Sequence, residues 1–343
     1  MVQWSLTMRR PGLLFLTLLL AGAAFAQRNL EIGLTTGVTH YYGDLGNIDG
    51  PVQWNSARPG MQVTIRDFLN NKKRYVTRSL TTEVRLSWFR IGYDETAPMR
   101  NVPTTELKNF RRGLSFRTDL LGASGHLVLN AYREPYTPLF QQRFFMYFHI
   151  GMGVYHGRPK ADLFRGGVDP DNRYYFWSDG TVRDAPRGTP NATVIERDGR
   201  YETDLGSWLT ETSRTDTDLG KARQYKAWHI GIPMGLGLRY MLTRRLSVGM
   251  EYCYYMFMTD ELDDVSDLYA TYEQIDALYE SPRDRTLARY ISDPTGWGTV
   301  GDNDDIKTSK RGNPGLLDSF SYFSLEVSYK FKRRPGRRTY MRL

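Results

Sequence analysis

Hydrophobic and polar residues alternate with a period of two in eight separate segments of the chain. Between residues 80 and 88, for example, the apolar Val84 and Leu86 alternate with the charged Glu83 and Arg85. Such alternation is typical of β-strands with one apolar and one polar face. The predicted strands are Leu30–Tyr42, Gly60–Leu69, Val76–Gly92, Gly113–Ala131, Arg143–Tyr155, Tyr225–Leu242, Leu246–Met258 and Phe320–Phe331. Together they predict an all-β fold, an eight-stranded antiparallel transmembrane β-barrel.

The charged residues decide which face of each strand meets lipid. An arginine that faces lipid at the membrane midplane costs about 2–4 kcal/mol, and a glutamate somewhat less. Glu83 and Arg85 are therefore predicted to face the barrel interior. The same rule predicts ten interior charges, namely Glu31, Arg66, Glu83, Arg85, Arg117, Asp119, Arg239, Glu251, Glu326 and Lys330.

Five of these ten residues are acidic and five are basic. The interior of an eight-stranded barrel is only wide enough for its own side chains. We therefore expect the ten charges to form ion pairs that fill the barrel and leave no aqueous pore. A catalytic or proton-relay role for the same groups is the alternative.

Two segments break the regular pattern. The apolar residues Leu114 and Phe116 are even-numbered, whereas Leu127 and Leu129, later in the same segment, are odd-numbered. One extra residue near position 120, a β-bulge, would return all four to the lipid face. Pro233 cannot donate a backbone hydrogen bond, so irregular strand pairing is predicted around it.

The connections between the predicted strands alternate in length. Those after strands two, four and six are short, and those after strands one, three, five and seven are long. The short links are Asn70–Tyr75, Tyr132–Gln142 and Thr243–Arg245; the long ones are Gly43–Pro59, Tyr93–Arg112, His156–Gln224 and Thr259–Ser319. Outer-membrane barrels have short periplasmic turns and long external loops. This alternation predicts that both termini lie in the periplasm; a soluble β-sandwich is the alternative fold.

The last long connection is predicted to contain a short amphipathic helix that packs on the rim of the barrel. Its apolar residues recur at helical spacing after the start signal Asp263–Asp264. They are Val265, Leu268, Tyr272, Ile275 and Tyr279.

The N-terminal residues 1–26 have the pattern of a secretory signal peptide. Arg9 and Arg10 precede the apolar run Leu13–Leu20, and Ala24–Ala26 is a cleavage site of the A-x-A type. The apolar run is too short for a spanning helix, which needs about 20 residues. The barrel is then predicted over residues 27–331. The whole chain has 23 tyrosines and 7 tryptophans, residue types that suit the two membrane interfaces of a barrel.

Basic residues are concentrated at the C-terminus. The formal net charge of +8 falls to +6 without the signal residues. Residues 332–343 form a predicted periplasmic tail with the basic residues Lys332, Arg333, Arg334, Arg337 and Arg338. The concentration at one end argues against a nucleic-acid-binding face. Contact with an acidic partner and a plain solvated tail are both open.

The sequence offers no catalytic, cofactor-binding or metal-binding pattern. None of the five histidines lies in a nucleophile or zinc-protease motif, and the single Cys253 allows no internal disulfide. His40 and His156, predicted near the outer rim, leave a barrel hydrolase as an alternative. The acidic run Asp302–Asp305 lacks the spacing of an EF-hand and is interpreted as a solvated turn.

Four short segments carry a resemblance to a known family. They are Tyr41–Leu45 (YYGDL), Arg112–Arg117 (RGLSFR), Leu262–Ser266 (LDDVS) and Arg311–Pro314 (RGNP), followed by the closing strand Asp318–Phe331. Their order and spacing resemble those of the PorG-like outer-membrane barrels associated with the type IX secretion system.

The resemblance implies an accessory role in protein export and no enzymatic activity. It implies attachment to a periplasmic ring of PorK-like lipoproteins and PorN-like subunits, in addition to contact with outer-membrane lipid. A general OmpA-like barrel, structural or adhesive through its external loops, is the alternative function.

Overall fold

Eight long antiparallel strands form the body of the protein. A computed structural model of the chain describes residues 30–45, 56–68, 79–95, 112–131, 143–177, 179–216, 221–222, 226–243, 245–296 and 310–331. The barrel strands are β1 (Leu30–Tyr42), β2 (Arg58–Phe68), β3 (Leu80–Asp94), β4 (Ser115–Asn130), β5 (Phe144–His156), β6 (Trp228–Met241), β7 (Leu246–Phe257) and β8 (Ser319–Lys330). All eight predicted strands are present, with ends that differ by a few residues.

The strands form a closed up-and-down barrel. Each strand pairs with its neighbours along the chain, and β1 pairs with β8 to complete the cylinder. The register runs from Glu31 opposite Lys330 to Tyr42 opposite Ser319. Closure pairs each of the eight barrel strands on both sides, as a bilayer requires. The predicted eight-stranded antiparallel barrel is therefore confirmed.

A belt of exposed apolar side chains surrounds the barrel. Its members include Ile32, Leu34, Val63, Val84, Leu86, Leu127, Leu129, Phe148, Ile150, Leu236, Leu325 and Val327. An apolar surface of this extent is not stable in water. It is the outer face of a barrel that spans an outer membrane.

The predicted β-bulge in the fourth strand is wrong. The pairing of β3 with β4 runs without interruption from Leu80 opposite Leu129 to Asp94 opposite Ser115. The even-numbered Phe116 is therefore an interior residue, and it is fully buried. Leu114, just before the strand, is buried in the same core. Both residues are apolar because this end of the interior is itself apolar.

The irregularity predicted at Pro233 is confirmed. In the pairing of β6 with β5, Gly231 lies opposite Gly153 and Met234 opposite Ile150, and the ladder is interrupted between these two pairs. The register continues across the gap because both strands advance by the same number of residues. On its other side Pro233 still lies opposite Tyr255 of β7.

The connections after β5 and β7 leave the strands at one end of the barrel, called here the mouth, and their described residues fold into a cap. The cap comprises residues 157–177, 179–216, 259–296 and 310–318. It contains the helices α1 (Tyr272–Leu278) and α2 (Pro282–Ser292), with short strands at Pro159–Ala161, Tyr175–Phe176, Val182–Arg183, Thr203–Asp204 and Thr215–Asp216. Another short strand, Lys221–Ala222, pairs with the last of these.

The helix predicted in the last connection begins later than its proposed start signal. Thr271 caps α1 in a reciprocal capping box with Gln274. Leu262 and Val265, which precede the helix, pack instead into the barrel core. The second helix, α2, was not predicted, although Pro282 at its first turn is a recognised helix start.

Several predictions fall on residues that the structure does not describe. These are the signal peptide 1–26, the tail 332–343, the acidic run 302–305 and the turns 70–75 and 132–142. No helix among the described residues is long and apolar enough to cross a membrane.

Candidate functional site

Arg66 occupies the barrel interior and contacts three glutamates. Its Nε donates to Glu83, and its two terminal nitrogens donate to the two carboxylate oxygens of Glu326, the second at 2.6 Å. Nη1 also donates to Glu31 at 3.1 Å. All four side chains are buried. One guanidinium thus contacts carboxylates from three different strands.

Arg85 extends this arrangement along the barrel. Its guanidinium donates to both oxygens of Glu251 at 2.6 and 2.9 Å and to Glu83 at 2.8 Å. The hydroxyl of Tyr147 donates to Glu251 at 2.9 Å. Because Glu83 also accepts from Arg66, the interior charges form one connected network. Arginine suits this role because its fork of donors matches two carboxylates at once.

Arg239 and Lys330 complete the interior set. Arg239 lies 3.9 Å from Glu31 and 3.7 Å from Glu326, and its guanidinium stacks 4.8 Å from the ring centre of Tyr147. Lys330 lies opposite Glu31 in the strand register at the other end of the barrel. Eight of the ten sequence-predicted charges therefore occupy interior positions.

Arg117 and Asp119 do not face the interior, contrary to prediction. Asp119 accepts a hydrogen bond from Arg90 at 2.7 Å, and all three side chains are partly exposed on the outer face near the mouth. Arg117 stacks over the ring of Tyr201 at 4.5 Å. The error follows from the predicted β-bulge: without an extra residue, odd-numbered residues of β4 stay outside along its whole length.

A layer of aromatic rings fills the interior between the charge network and the mouth. Phe89 lies 5.0 Å from Tyr255, 5.1 Å from Phe320 and 4.9 Å from Tyr322, measured between ring centres. Tyr255 and Phe320 stack at 4.6 Å. Edge-to-face and stacked rings pack densely. The barrel is therefore plugged twice, by ion pairs and by aromatic rings.

The four motif segments meet at the mouth. The hydroxyl of Tyr41, in the first segment, contacts Asp263 of the third at 2.6 Å and Asp318 at 2.5 Å. The carboxylate of Asp44 accepts from the backbone N–H of Asn313 in the fourth. Hydrogen bonds thus join residues that are more than 200 positions apart in the chain.

Arg112 ties the second motif segment to the others. It donates to the backbone carbonyls of Arg311 at 2.8 Å and Asp44 at 3.0 Å, and forms an ion pair with Glu95. Gly312 allows the close approach: a Cβ there would lie 2.6 Å from the backbone nitrogen of Ser266. We call the residues that make these contacts the mouth cluster. Its members are Tyr41, Asp44, Glu95, Arg112, Asp263, Asp264, Ser266, Arg311, Gly312 and Asp318.

Arg311 anchors the cap to the mouth cluster. It is 1 % exposed and donates to Asp264 Oδ2 at 3.0 Å and Glu211 Oε1 at 3.2 Å. Arg214, also buried, lies 3.2 Å from Asp264 Oδ1. Glu211, Arg214 and Glu95 were not singled out from the sequence, because no motif or period marks them.

The contacts of Tyr41 require a proton on one of two carboxyl groups. A phenol has one proton and can donate to one carboxylate only, so the second short contact needs a proton from Asp263 or Asp318. Burial and the charge of Asp318 raise the pKa of Asp263 well above its ordinary value. Burial also raises the pKa of Asp318 to about 7. This pair shares a proton near neutral pH.

We expect the mouth to lose stability as the pH rises. Burial, then the charge of Asp318, raises the pKa of Asp260 from 3.8 to about 8. At pH values between these two pKa values, Asp260 is ionised in the unfolded chain and protonated in the folded chain. The free energy of unfolding therefore falls as the pH rises through this range. Urea unfolding of the refolded protein at acidic and alkaline pH measures the difference.

Asp260→Asn should shrink that difference, because asparagine does not titrate. The matched control is Asp179→Asn, which removes an exposed acid of the cap whose pKa is lowered by hydrogen bonds from Thr181. The control should keep the wild-type difference. An Asp260→Asn variant with unchanged pH dependence would contradict the assignment.

The histidines do not assemble a hydrolase site within the described part of the chain. His126 and His149 are buried in the interior, with their Nδ1 atoms 3.1 Å apart. His156 is exposed and packs against Trp228, whereas His40 lies on β1 opposite Ser321.

Cys253 lies near two potential metal ligands in the interior. Cys253, His149 and Glu251 each offer one atom that could bind a metal, and these three atoms lie within 4.8 Å of one another. Both oxygens of Glu251 already accept hydrogen bonds from Arg85. The geometry therefore favours an ion pair over a metal centre.

The cap contains a cavity of about 440 Å³ between α2 and residues 173–187. It is lined by aromatic and basic side chains, including Tyr175, Tyr272, Tyr290, Arg173 and Arg289. Arg173 stacks over the rings of Tyr175 and Tyr290. All of the lining residues belong to the cap.

No protein-family model and no curated protein sequence matches the chain. Among solved structures it is similar to Ail, the attachment invasion locus protein of Yersinia pestis, at 8% identity over 89% of this chain and 99% of that one, with a TM-score of 0.32. It is also similar to a major outer membrane protein from Thermus thermophilus, at 11% identity over 88% of this chain and 99% of that one, with a TM-score of 0.31. A third similar structure is that of OprG from Pseudomonas aeruginosa, at 9% identity over 89% of this chain and 98% of that one, with a TM-score of 0.32. At these scores the likeness carries no argument about function, and the assignment of the fold rests on the strand pairing of the chain itself.

Proposed function

We propose that this protein is a non-enzymatic outer-membrane component of a type IX protein secretion machinery, where it anchors or organises a periplasmic ring complex. The observation that carries the proposal is the convergence of the four motif segments on the mouth cluster. Tyr41 bonds to Asp263, Arg112 bonds to the carbonyl of Arg311, and Arg311 bonds to Asp264 beside Asp263. The similarity to PorG-like proteins therefore concerns one structural unit, which supports it more strongly than four unrelated short matches would.

The plugged interior supports a scaffolding role. The charge network and the aromatic layer leave the barrel filled by its own side chains. A filled barrel acts through the surfaces it presents on either side of the membrane. The proposed partners on the periplasmic side are a PorK-like lipoprotein and a PorN-like subunit. The tail residues Lys332, Arg333, Arg334, Arg337 and Arg338 are the candidate contact for an acidic partner.

The proposal orients the barrel with its cap outside the cell and both termini in the periplasm. The exposed Arg187 of the cap is a suitable reporter. A membrane-impermeant maleimide should label an Arg187→Cys variant on intact cells, in a background where the buried Cys253 is replaced by serine. A Thr243→Cys variant, in the short link between β6 and β7, should be labelled only after the outer membrane is permeabilised. The opposite pattern would reverse the orientation.

Deletion of the gene tests the function itself. If the protein anchors a secretion machinery, proteins normally found in the medium should disappear from it and accumulate in the periplasm. Mass spectrometry of both fractions measures this. The wild-type gene should restore secretion. A variant with glutamine at Lys332, Arg333, Arg334, Arg337 and Arg338 tests whether these tail residues make the contact. An unchanged set of secreted proteins would exclude the secretion role.

The second candidate is a general OmpA-like structural or adhesive barrel. It is favoured by the packing of the cap, where Phe164, Tyr174, Phe176, Tyr290 and Ile291 form an apolar core of their own. A folded external surface is what an adhesin would use. In the deletion strain this function predicts normal secretion together with altered envelope integrity or surface attachment.

A further inference from the structure

Three carboxylates of the cap converge on one point. Asp162 directly follows the short strand Pro159–Ala161, and Glu202 directly precedes the short strand Thr203–Asp204. These strands pair with each other, and Asp198 lies in the turn that leads to the second. Each carboxylate contributes one oxygen to the cluster, and these three oxygens lie within 4.8 Å of one another.

Within the described part of the chain, two of these carboxylates have a buried oxygen without a hydrogen-bond partner. Asp162 is 2 % exposed; its Oδ2 accepts from the backbone N–H of Gly199 at 2.7 Å, whereas its Oδ1 is buried and has no partner. Glu202 repeats the arrangement. Its Oε1 accepts from Leu163 and Phe164 at 3.0 Å each, and its Oε2 is buried and has no partner.

The backbone contacts orient these two side chains. Because one oxygen of each is held by N–H groups, the other has a fixed direction. A buried anionic oxygen without a partner is costly, and a neighbouring carboxylate adds repulsion. A positive counter-charge between the three side chains would relieve both costs.

Two nearby arginines supply part of that charge, and Arg197 lowers the pKa of Asp162 against the effect of burial, which raises it. Arg200 lies 3.5 Å from Asp198 but its side chain is 68 % exposed, so water screens the pair. The guanidinium of Arg197 is engaged by Asp94 at 3.1 Å and by the carbonyl of Gly113 at 2.8 Å. Together with Asp94, the three carboxylates outnumber the two arginines, so the cluster is acidic.

We propose that Asp162, Asp198 and Glu202 bind a calcium ion in the cap. Carboxylate oxygens are hard ligands that Ca²⁺ accepts in flexible geometry, whereas Zn²⁺ favours nitrogen and sulfur ligands. Extracellular calcium modules have dissociation constants of roughly 10⁻⁴ to 10⁻³ M, and we expect this range here. The ion joins the turn 198–202 to the chain that leaves β5. The site is independent of the secretion role.

Calcium binding should stabilise the cap. The backbone N–H of Asp198 donates to the hydroxyl of Tyr174 at 2.9 Å, and the backbone N–H of Tyr174 donates to the hydroxyl of Tyr290 at 3.1 Å. Both tyrosines belong to the apolar core of the cap. An ion that fixes Asp198 therefore stabilises packing between residues 162–202 and α2.

The test uses the full-length protein refolded in detergent and freed of metal with a chelator. Isothermal titration with CaCl₂ should give one site per chain, and Ca²⁺ should slow cleavage of the cap by chymotrypsin. MgCl₂ at the same concentration should protect much less, because Mg²⁺ demands a stricter octahedral geometry.

Asp162→Asn and Glu202→Gln should each weaken calcium binding at least about tenfold, because each removes one negative charge from the ligand set. Both retain the oxygen that accepts backbone N–H groups, so the local fold is preserved. Asp179→Asn is the matched control: it removes an exposed cap carboxylate that pairs with Arg183, and it should bind calcium as the wild type does. Heat-modifiable mobility on a gel verifies that the barrel is folded in every variant.

The absence of calcium binding by the folded wild-type protein at millimolar concentration would overturn the proposal. So would wild-type affinity in both Asp162→Asn and Glu202→Gln. If Asp162→Asn alone loses its protease-resistant cap, the affinity of Glu202→Gln decides the outcome.

Discussion

Replacing Arg66 by glutamine should destabilise the barrel by about 3–5 kcal/mol, the range for breaking a buried ion pair from one side. Arg66 is fully buried and contacts Glu31, Glu83 and Glu326. Glutamine removes the charge, and the three buried carboxylates then keep only their contacts with Arg85 and Arg239. Urea unfolding of the refolded protein in phospholipid vesicles, followed by tryptophan fluorescence, measures the change.

Arg90→Gln is the matched control for this measurement. Arg90 is the same residue type on the neighbouring strand, and it also pairs with an acid, Asp119. The two side chains of this pair are each about one third exposed, so the pair contributes about 0–1 kcal/mol. Equal losses in the two variants would mean that the interior network does not determine barrel stability.

Replacing Arg311 by glutamine should release the cap from the mouth while the barrel stays folded. Its guanidinium bonds to Asp264 and Glu211, and all three side chains are buried. Without Arg311, Glu211 loses its ion pair and Asp264 keeps only the contact with Arg214. We expect this to cost about 3–5 kcal/mol, the range for breaking a buried pair from one side. We expect rapid cleavage of the cap by proteinase K in the folded protein, with retention of the heat-modifiable barrel.

Arg283→Gln serves as the control for the cap. Arg283 bonds to Asp169 at 2.9 Å, but both side chains are more than one third exposed. Its loss should leave the cleavage rate close to that of the wild type. A resistant cap in Arg311→Gln would show that the apolar packing of the cap suffices without the mouth cluster.

The two experiments separate parts of the molecule with different roles in the proposed function. The interior network maintains a stable barrel in the membrane, whereas the mouth cluster fixes the external surface. If the protein acts as a secretion anchor through its periplasmic side, a loosened cap in Arg311→Gln should leave secretion intact. If it acts as an adhesin, the same variant should lose surface attachment.

The sequence by itself determined the number of strands and, for most of them, the face that meets lipid. The reason is local: a period of two places successive side chains on opposite faces, and the cost of a charge in lipid assigns the faces. Glu83 and Arg85 with Val84 between them are enough to orient β3. The alternation of short and long connections likewise follows from counting residues.

Only the tertiary structure decided which apolar residues face lipid and which face the interior near the mouth. Phe116 and Leu129 are both large and apolar, yet one packs among buried rings and the other is exposed in the belt. Alternation cannot distinguish these environments because each is apolar. This ambiguity produced the erroneous bulge and, with it, the wrong side for Arg117 and Asp119.

The sites that the fold assembles from distant segments were also beyond the sequence. Tyr41 and Asp318 are 277 residues apart and share a hydrogen bond. Asp162 and Glu202 converge only because two short strands of the cap pair. Contacts of this kind depend on closure of the barrel and folding of the cap, whereas periodicity reports only on the neighbours of each residue along its own strand.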